Sequence, residues 1–284
     1  MSDTPASQPD EMPPEADAAP EGEPLRLGGM ALRNGLLIHG PTSWAAAVRD
    51  TDGEIHVGSG RKPSFAPDVV GRAPFLRGPV KLAEAFAVLP LVRMRLPAAR
   101  LPFESPAVAA SAGGSILLTS VVRRGGPPSV GRELAASVLG LVPAVTALRG
   151  SQLASYHGVE HKAIGAYEQG SMDPRTATKE HDRCGSNLLA PMLALTAAGQ
   201  LLLESLPMPP GVVVRGAVTA GAVSGAVEAF TWSERHPDSA LARAFHAPGQ
   251  AIQQLFATRE PDEDQIEVGI AALREALRAE GVDA

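Results

Sequence analysis

Tyr156-His157-Gly158-Val159-Glu160-His161-Lys162 and, about twenty residues on, His181-Asp182-Arg183-Cys184-Gly185 gather three of the seven histidines and the single cysteine into 28 residues. On a helix, His157 and His161 are i,i+4 neighbours and Glu160 borders the same face. The order is H-x-x-E-H, as in inverted zinc peptidases, where both histidines hold the metal and the glutamate is the base. That spacing suits the chemistry because both imidazoles must reach one tetrahedral ion at about 2.0–2.1 Å without breaking the helix. His181 and Cys184 would complete a four-ligand set from a second segment. The plainer alternative is a helix whose histidines hydrogen-bond to neighbours, with Cys184 a small buried apolar residue.

Three chemistries follow from these residue types. The first is a metal-dependent hydrolase: zinc on His157 and His161 with His181 or Cys184, Glu160 as general base, and Lys162 or Arg183 stabilising negative charge that develops on the substrate. Glu168 and Glu228 are further carboxylates within the pattern, for which a solvated or paired role is the better expectation. The second is a non-enzymatic protein in which His157, His161, His181 and Cys184 close around a structural zinc. Glu160 separates these two, since hydrolysis needs it and a structural site tolerates glutamine there. The third is thiol or redox chemistry at Cys184, favoured by the cationic neighbours Arg183 and His181. The sequence has no phosphate loop, nucleophile elbow or nucleotide fingerprint, and Gly28-Gly29 alone is too weak to count as one.

The elements that must position these residues lie in a chain of 284 residues, long enough for a large core in one or two domains. One cysteine excludes an internal disulfide and suits a ligand role in a reducing compartment. The net charge of −6 is concentrated in residues 1–24, which hold seven acidic groups and no basic one, so the remainder stands near +1. That is no nucleic-acid footprint. The same 24 residues are rich in Pro, Ala and Ser and lack aromatics, which predicts a disordered acidic tail and not a signal peptide.

Residues 25–75 read as a small β-rich element. In it Ser43–Arg49 and Glu54–Val57 form a hairpin closed by Asp52-Gly53. Gly78-Pro79 opens an apolar helix over 80–92. Residues 76–245 then carry four apolar, nearly uncharged stretches, Pro106–Val122, Leu134–Leu148, Leu188–Leu203 and Gly216–Val227. Each is shorter than the roughly 20 residues that cross a bilayer, yet their Ala, Gly and Ser content and the Gly221/Gly225 pair favour close helix packing in lipid. The reading is a mainly α, polytopic membrane bundle of about four short spans. Arg93, Arg95, Arg100, Arg149, Lys162, Arg175, Lys179 and Arg183 place the His/Cys loop over 149–187 and both termini in the cytoplasm. Arg123, Arg124 and Arg132 in the opposite loop run against this. Residues 246–284 read as soluble: a short helix around Ala251–Phe256, then an amphipathic helix with a capping box at Asp262/Gln265 and a stripe of Ile266, Ile270, Leu273 and Leu277.

Taken together, Gly28-Gly29 through Gly40-Pro41, Arg77-Gly78, the 156–162 and 181–185 motifs, and Pro248-Gly249 leading to Thr258-Arg259-Glu260-Pro261 resemble the YqhQ-like family of bacterial membrane proteins. That family has no known reaction and is described as predicted metal-dependent enzymes. The resemblance runs from Gly28 to Leu277. It implies a multi-pass protein of the cell membrane with the lipid bilayer as partner, a divalent metal as cofactor, and His157, Glu160, His161, His181 and Cys184 as the site. The chain departs from the family at Asn34 and His39, where a glutamate and an arginine are typical.

Overall fold

The computed structural model describes residues 24–65, 73–126, 129–149, 151–204 and 211–282. The expected acidic tail over 1–24 lies outside the described residues, apart from its last position. The chain begins as an antiparallel meander, β1 (Gly28–Leu32), β2 (Gly35–His39), β3 (Ser43–Arg49) and β4 (Ile55–Arg61), in that spatial order. Gly53, at φ +89°, turns the predicted β3–β4 hairpin, as its freedom from a Cβ allows. The connection is longer than a two-residue turn and runs from Asp50 to Glu54, with the Asp50 carboxylate accepting from the N–H groups of Asp52 and Glu54.

Apolar residues occupy both faces of this sheet, and each face is therefore covered. Leu36, Ile38, Ala45 and Ala47 point to one side, where they pack with Tyr156, Val159, Ala163, Val268, Leu273 and Leu277. Leu37, Trp44, Ala46 and Val48 point to the other and meet Val88, Leu89, Val92 and Leu96. The second cover is helix α1 (Arg77–Arg95). Three consecutive alanines in β3 keep the sheet thin enough for helices on both sides.

Next come α2 (Pro106–Arg124), α3 (Val130–Gly140) and α4 (Val142–Leu148). The site helix α5 (Gln152–Glu168) follows, then α6 (Leu189–Glu204) and α7 (Val212–Arg235). Four helical stretches are long and apolar enough to cross a membrane by length and composition: Pro106–Arg124, Val130–Leu148, Gly185–Leu203 and Val213–Arg235. They run longer than the uncharged cores read from the sequence, because each helix continues into flanking residues that a hydropathy pattern trims away. Between 6% and 28% of their apolar windows is buried, and Ile116, Leu117, Val121 and Val213 stand out from the molecule. Small residues join the helices: Ser115 Oγ donates to the Leu139 carbonyl, and Gly225 packs against Leu195. In the last turn of α2, Arg123 pairs with the buried Glu133 of α3 at 3.0 Å, so its charge, which ran against the expected orientation, is neutralised.

The C-terminal part folds back onto the sheet. Helix α8 (Ala240–Ile252) continues into a π-turn, Gln253–Ala257, so it begins and ends differently from the short helix expected around Ala251–Phe256. Helix α9 (Glu263–Ala279) starts with the predicted Asp262/Gln265 capping box, and Ile266, Leu273 and Leu277 of the expected stripe are buried. Its end is tied to the sheet by Glu280, whose carboxylate accepts from the N–H groups of Thr42 and Ser43.

Candidate metal centre

Helix α5 is buried at almost every position from Leu153 to Tyr167. A helix enclosed on all sides needs small residues wherever another chain segment comes close, and Gly158 is such a place. A Cβ there would overlap the Arg259 carbonyl oxygen, while the Arg259 N–H donates to the Ala154 carbonyl at 3.0 Å. The segment Thr258-Arg259-Glu260-Pro261 is thus laid along α5. Lys162 contributes to the same seam, donating to Glu260 at 2.7 Å. Its ammonium is therefore engaged in joining α5 to this segment.

His157, His161 and Cys184 come together, with one ligand atom of each lying within 4.8 Å of the others. His157 Nδ1 meets the Ala257 carbonyl at 2.9 Å and His161 Nδ1 meets the Lys179 carbonyl at 2.7 Å. A carbonyl oxygen only accepts, so each Nδ1 carries the hydrogen and each Nε2 presents a lone pair. Cys184 Sγ lies 3.6 Å from His157 Nε2 and accepts the Ser186 N–H at 3.5 Å. Glu160 Oε2 is 3.9 Å from His157 Nε2 and 3.6 Å from His161 Nε2. Two imine nitrogens, a sulfur and a carboxylate thus converge, and outer hydrogen bonds fix the two rings in the tautomer that ligates. These residues fit a divalent cation.

The electrostatics agree with the geometry. Burial, with smaller contributions from His157, His181 and Lys179, pushes His161 down to about 2, so its ring is neutral. Burial pushes the Cys184 thiol up to about 11, and a cation would have to displace its proton. Burial also raises Glu160, against the opposing pull of His157 and His181.

His181 is not brought into the ligand group. Its Nε2 faces Glu168 at 3.2 Å, its Nδ1 accepts the Arg183 N–H at 3.2 Å, and its ring stands 5.7 Å from that of His161. Arg183 pairs with Glu168, which is thereby occupied. Glu228 is also remote in function: Arg77 donates to it at 2.8 Å and the Phe75 N–H at 3.1 Å. His181, Glu168 and Arg183 instead line a cavity of about 390 Å³ next to the buried histidines. Arg183 also borders a second cavity of about 650 Å³, walled by α7 and α8.

Two contributors to the site carry weak sequence signals. Gly29 of β1 lies against Glu160, and a Cβ there would overlap Oε1 and Cγ of that carboxylate. Gln253, fully buried in the π-turn, accepts the His181 N–H at 2.9 Å and donates to the His181 carbonyl at 3.2 Å and to Ser186 Oγ at 2.9 Å, clamping the loop that bears Cys184. In the sequence Gln253 is one of three glutamines within five residues, Gln250, Gln253 and Gln254, and nothing in that pattern singles it out as a clamp.

An antiparallel sheet thus holds a buried helix bearing His157, Glu160 and His161, with Cys184 brought to it from a following loop, beside four long apolar helical stretches. Residues 139–279 match a family described as Protein of unknown function (DUF1385). The chain is also similar to Uncharacterized protein YqhQ of Bacillus subtilis (strain 168), with 25% identity over 309 aligned positions covering 91% of this chain and 94% of that relative. Both comparisons agree with the YqhQ-like resemblance carried by the motifs, a resemblance to proteins without a described function. No solved structure matches it.

Proposed function

We propose that this is a membrane-embedded, metal-dependent hydrolase centred on His157, His161 and Cys184. The observation that carries the reading is the pair of Nδ1–carbonyl bonds, which turn both Nε2 atoms toward Cys184 Sγ and Glu160. The four apolar helices would span the bilayer, with lipid as partner. The sheet, α5 and both termini would lie on the cytoplasmic side, where Arg93, Arg95, Arg100, Arg149, Arg175 and Lys179 gather.

A bound divalent cation, zinc by the donor set, would supply Lewis acidity at this point. Glu160 acts as the general base: burial raises its proton affinity above that of an ordinary carboxylate, which strengthens it as a base. The cavity beside His181 admits substrate, and the Arg183 guanidinium at its wall stabilises developing negative charge. His181 positions that wall through Glu168 and is not a ligand. Lys162, bound to Glu260, serves the fold.

A second reading has its own support. His161 is 2% and Cys184 7% exposed, which suits a closed structural centre with Glu160 as fourth ligand. Absorption spectra of the cobalt-loaded protein, joined to hydrolysis of a panel of esters, amides and phosphoesters, separate the two. Catalysis predicts a thiolate-to-cobalt band that Cys184→Ser abolishes, and a Glu160→Gln variant that retains cobalt but loses about 10²–10⁴ of its rate. If Glu160→Gln loses cobalt and the wild type hydrolyses nothing in the panel, the structural reading replaces the catalytic one.

A further inference from the structure

Helix α1 presents two apolar faces, and among the described residues only one of them is covered. Val88, Leu89 and Val92 pack on the sheet. On the other side Leu82 (45% exposed) and Phe86 (53%) stand outward in line with Pro79, at i, i+3 and i+7. Phe75 (60%) and Leu76 (54%) stand outward just before the first helical residue, Phe75 at φ +64°. Four large apolar side chains left outward at and before the start of one helix mark an interaction surface.

The position of the helix identifies what covers that stripe. Arg77 grips Glu228 through two guanidinium nitrogens, and a Cβ at Gly78 would crowd Val227, so the start of α1 is pinned to α7 at that level. Glu228 lies seven residues before Arg235, the end of the candidate span Val213–Arg235, or about 10 Å along the axis at roughly 1.5 Å per residue. If α7 spans over that length, this junction lies inside the membrane edge. From there α1 climbs to the sheet, so its exposed stripe begins at acyl-chain depth and ends near the headgroups.

We propose that the N-terminal half of α1 is inserted in the same leaflet as the end of α7, with Phe75, Leu76, Leu82 and Phe86 against lipid acyl chains. The inference rests on the membrane reading of α7 and adds a fifth, non-spanning membrane element, a half-inserted interfacial helix. The charges that keep α1 from reading as a span are accommodated. Arg77 is neutralised by Glu228, Glu84 accepts the Phe65 N–H at 3.0 Å, and Lys81 is exposed, with a stem long enough to reach the interface.

Nitroxide labels at Leu82→Cys and Phe86→Cys, in the full chain reconstituted in phospholipid vesicles, test this by their collision rates with oxygen and with a water-soluble nickel chelate. Leu117→Cys on α2 serves as the lipid reference and Val57→Cys on β4 as the aqueous one. The wild type, whose only cysteine is buried, supplies the background. The expected oxygen-to-nickel ratio at 82 approaches that at 117, and at both 82 and 86 it exceeds that at 57 severalfold. A ratio equal to that at 57 places the stripe in water, and low accessibility to both reagents places protein over it, whether a second copy or another segment; either overturns the proposal. A water-like value at 117 overturns the membrane reading itself, a failure distinct from the other two.

Discussion

A methyl group at position 29 would occupy the space of the Glu160 carboxylate, so Gly29→Ala reaches the centre without altering any ligand. The carboxylate has to turn away from the two Nε2 atoms, and the expected outcome is a loss of about 10²–10⁴ in hydrolysis rate with bound zinc and far-ultraviolet circular dichroism unchanged. Rate and metal content measured together on Gly29→Ala check it, and a wild-type rate would show that the position of Glu160 does not matter to catalysis. The ligand face was legible because i,i+4 histidines flanking a glutamate imply one helical face wherever a helix forms. The exclusion of His181 was not, because spacing cannot reveal that Glu168 and the Arg183 N–H already occupy both of its ring nitrogens. Gly29 stood out within the Gly28-Gly29 motif, but its role was hidden for a related reason: what it makes room for lies 131 positions away.

At the scale of elements, strand β2 carries an acid-sensitive residue. Burial, aided by Lys62, lowers His39 to about 4, and Lys62 Nζ lies 3.3 Å from its Nδ1. The folded pKa is below the ordinary value of about 6.5, so the unfolded chain binds the extra proton first, and the stability present above pH 6.5 drains away as pH falls toward 4. The loss amounts to roughly 3 kcal/mol at most, by order of magnitude, from this residue. Denaturant melts of the wild type and His39→Gln at pH 7.5 and 4.5 read it directly. The wild type should lose more than the variant on acidification, and equal losses would mean that His39 stays solvated. The hairpin over Ser43–Arg49 and the capped C-terminal helix were plain from Asp52-Gly53 and from Asp262/Gln265, since turns and caps are local. That β3 is covered on both faces was less plain, because a run of alanines carries no alternation to reveal which side faces the core.

For the whole molecule, the structure divides into a sheet-centred body that encloses α5 and a set of apolar helices whose surfaces are left largely outward. Spanning helices predict that the protein stays in the membrane pellet after alkaline carbonate washing and is released by detergent; release by carbonate would reduce the helices to a surface association. The length of those helices was understated by the sequence, because Arg124, Arg235 and the turn residues at each end interrupt hydropathy without ending the helix. The central claim, however, concerns the centre and not the membrane. Metal content by plasma mass spectrometry of detergent-purified protein, under reducing and chelator-free conditions, tests it most directly, with wild type beside His157→Ala, His161→Ala, Cys184→Ser and His181→Ala. The account predicts near-stoichiometric zinc in the wild type and in His181→Ala and its loss from the other three. Absence of metal from the wild type, or zinc retained in both His157→Ala and His161→Ala, would contradict it.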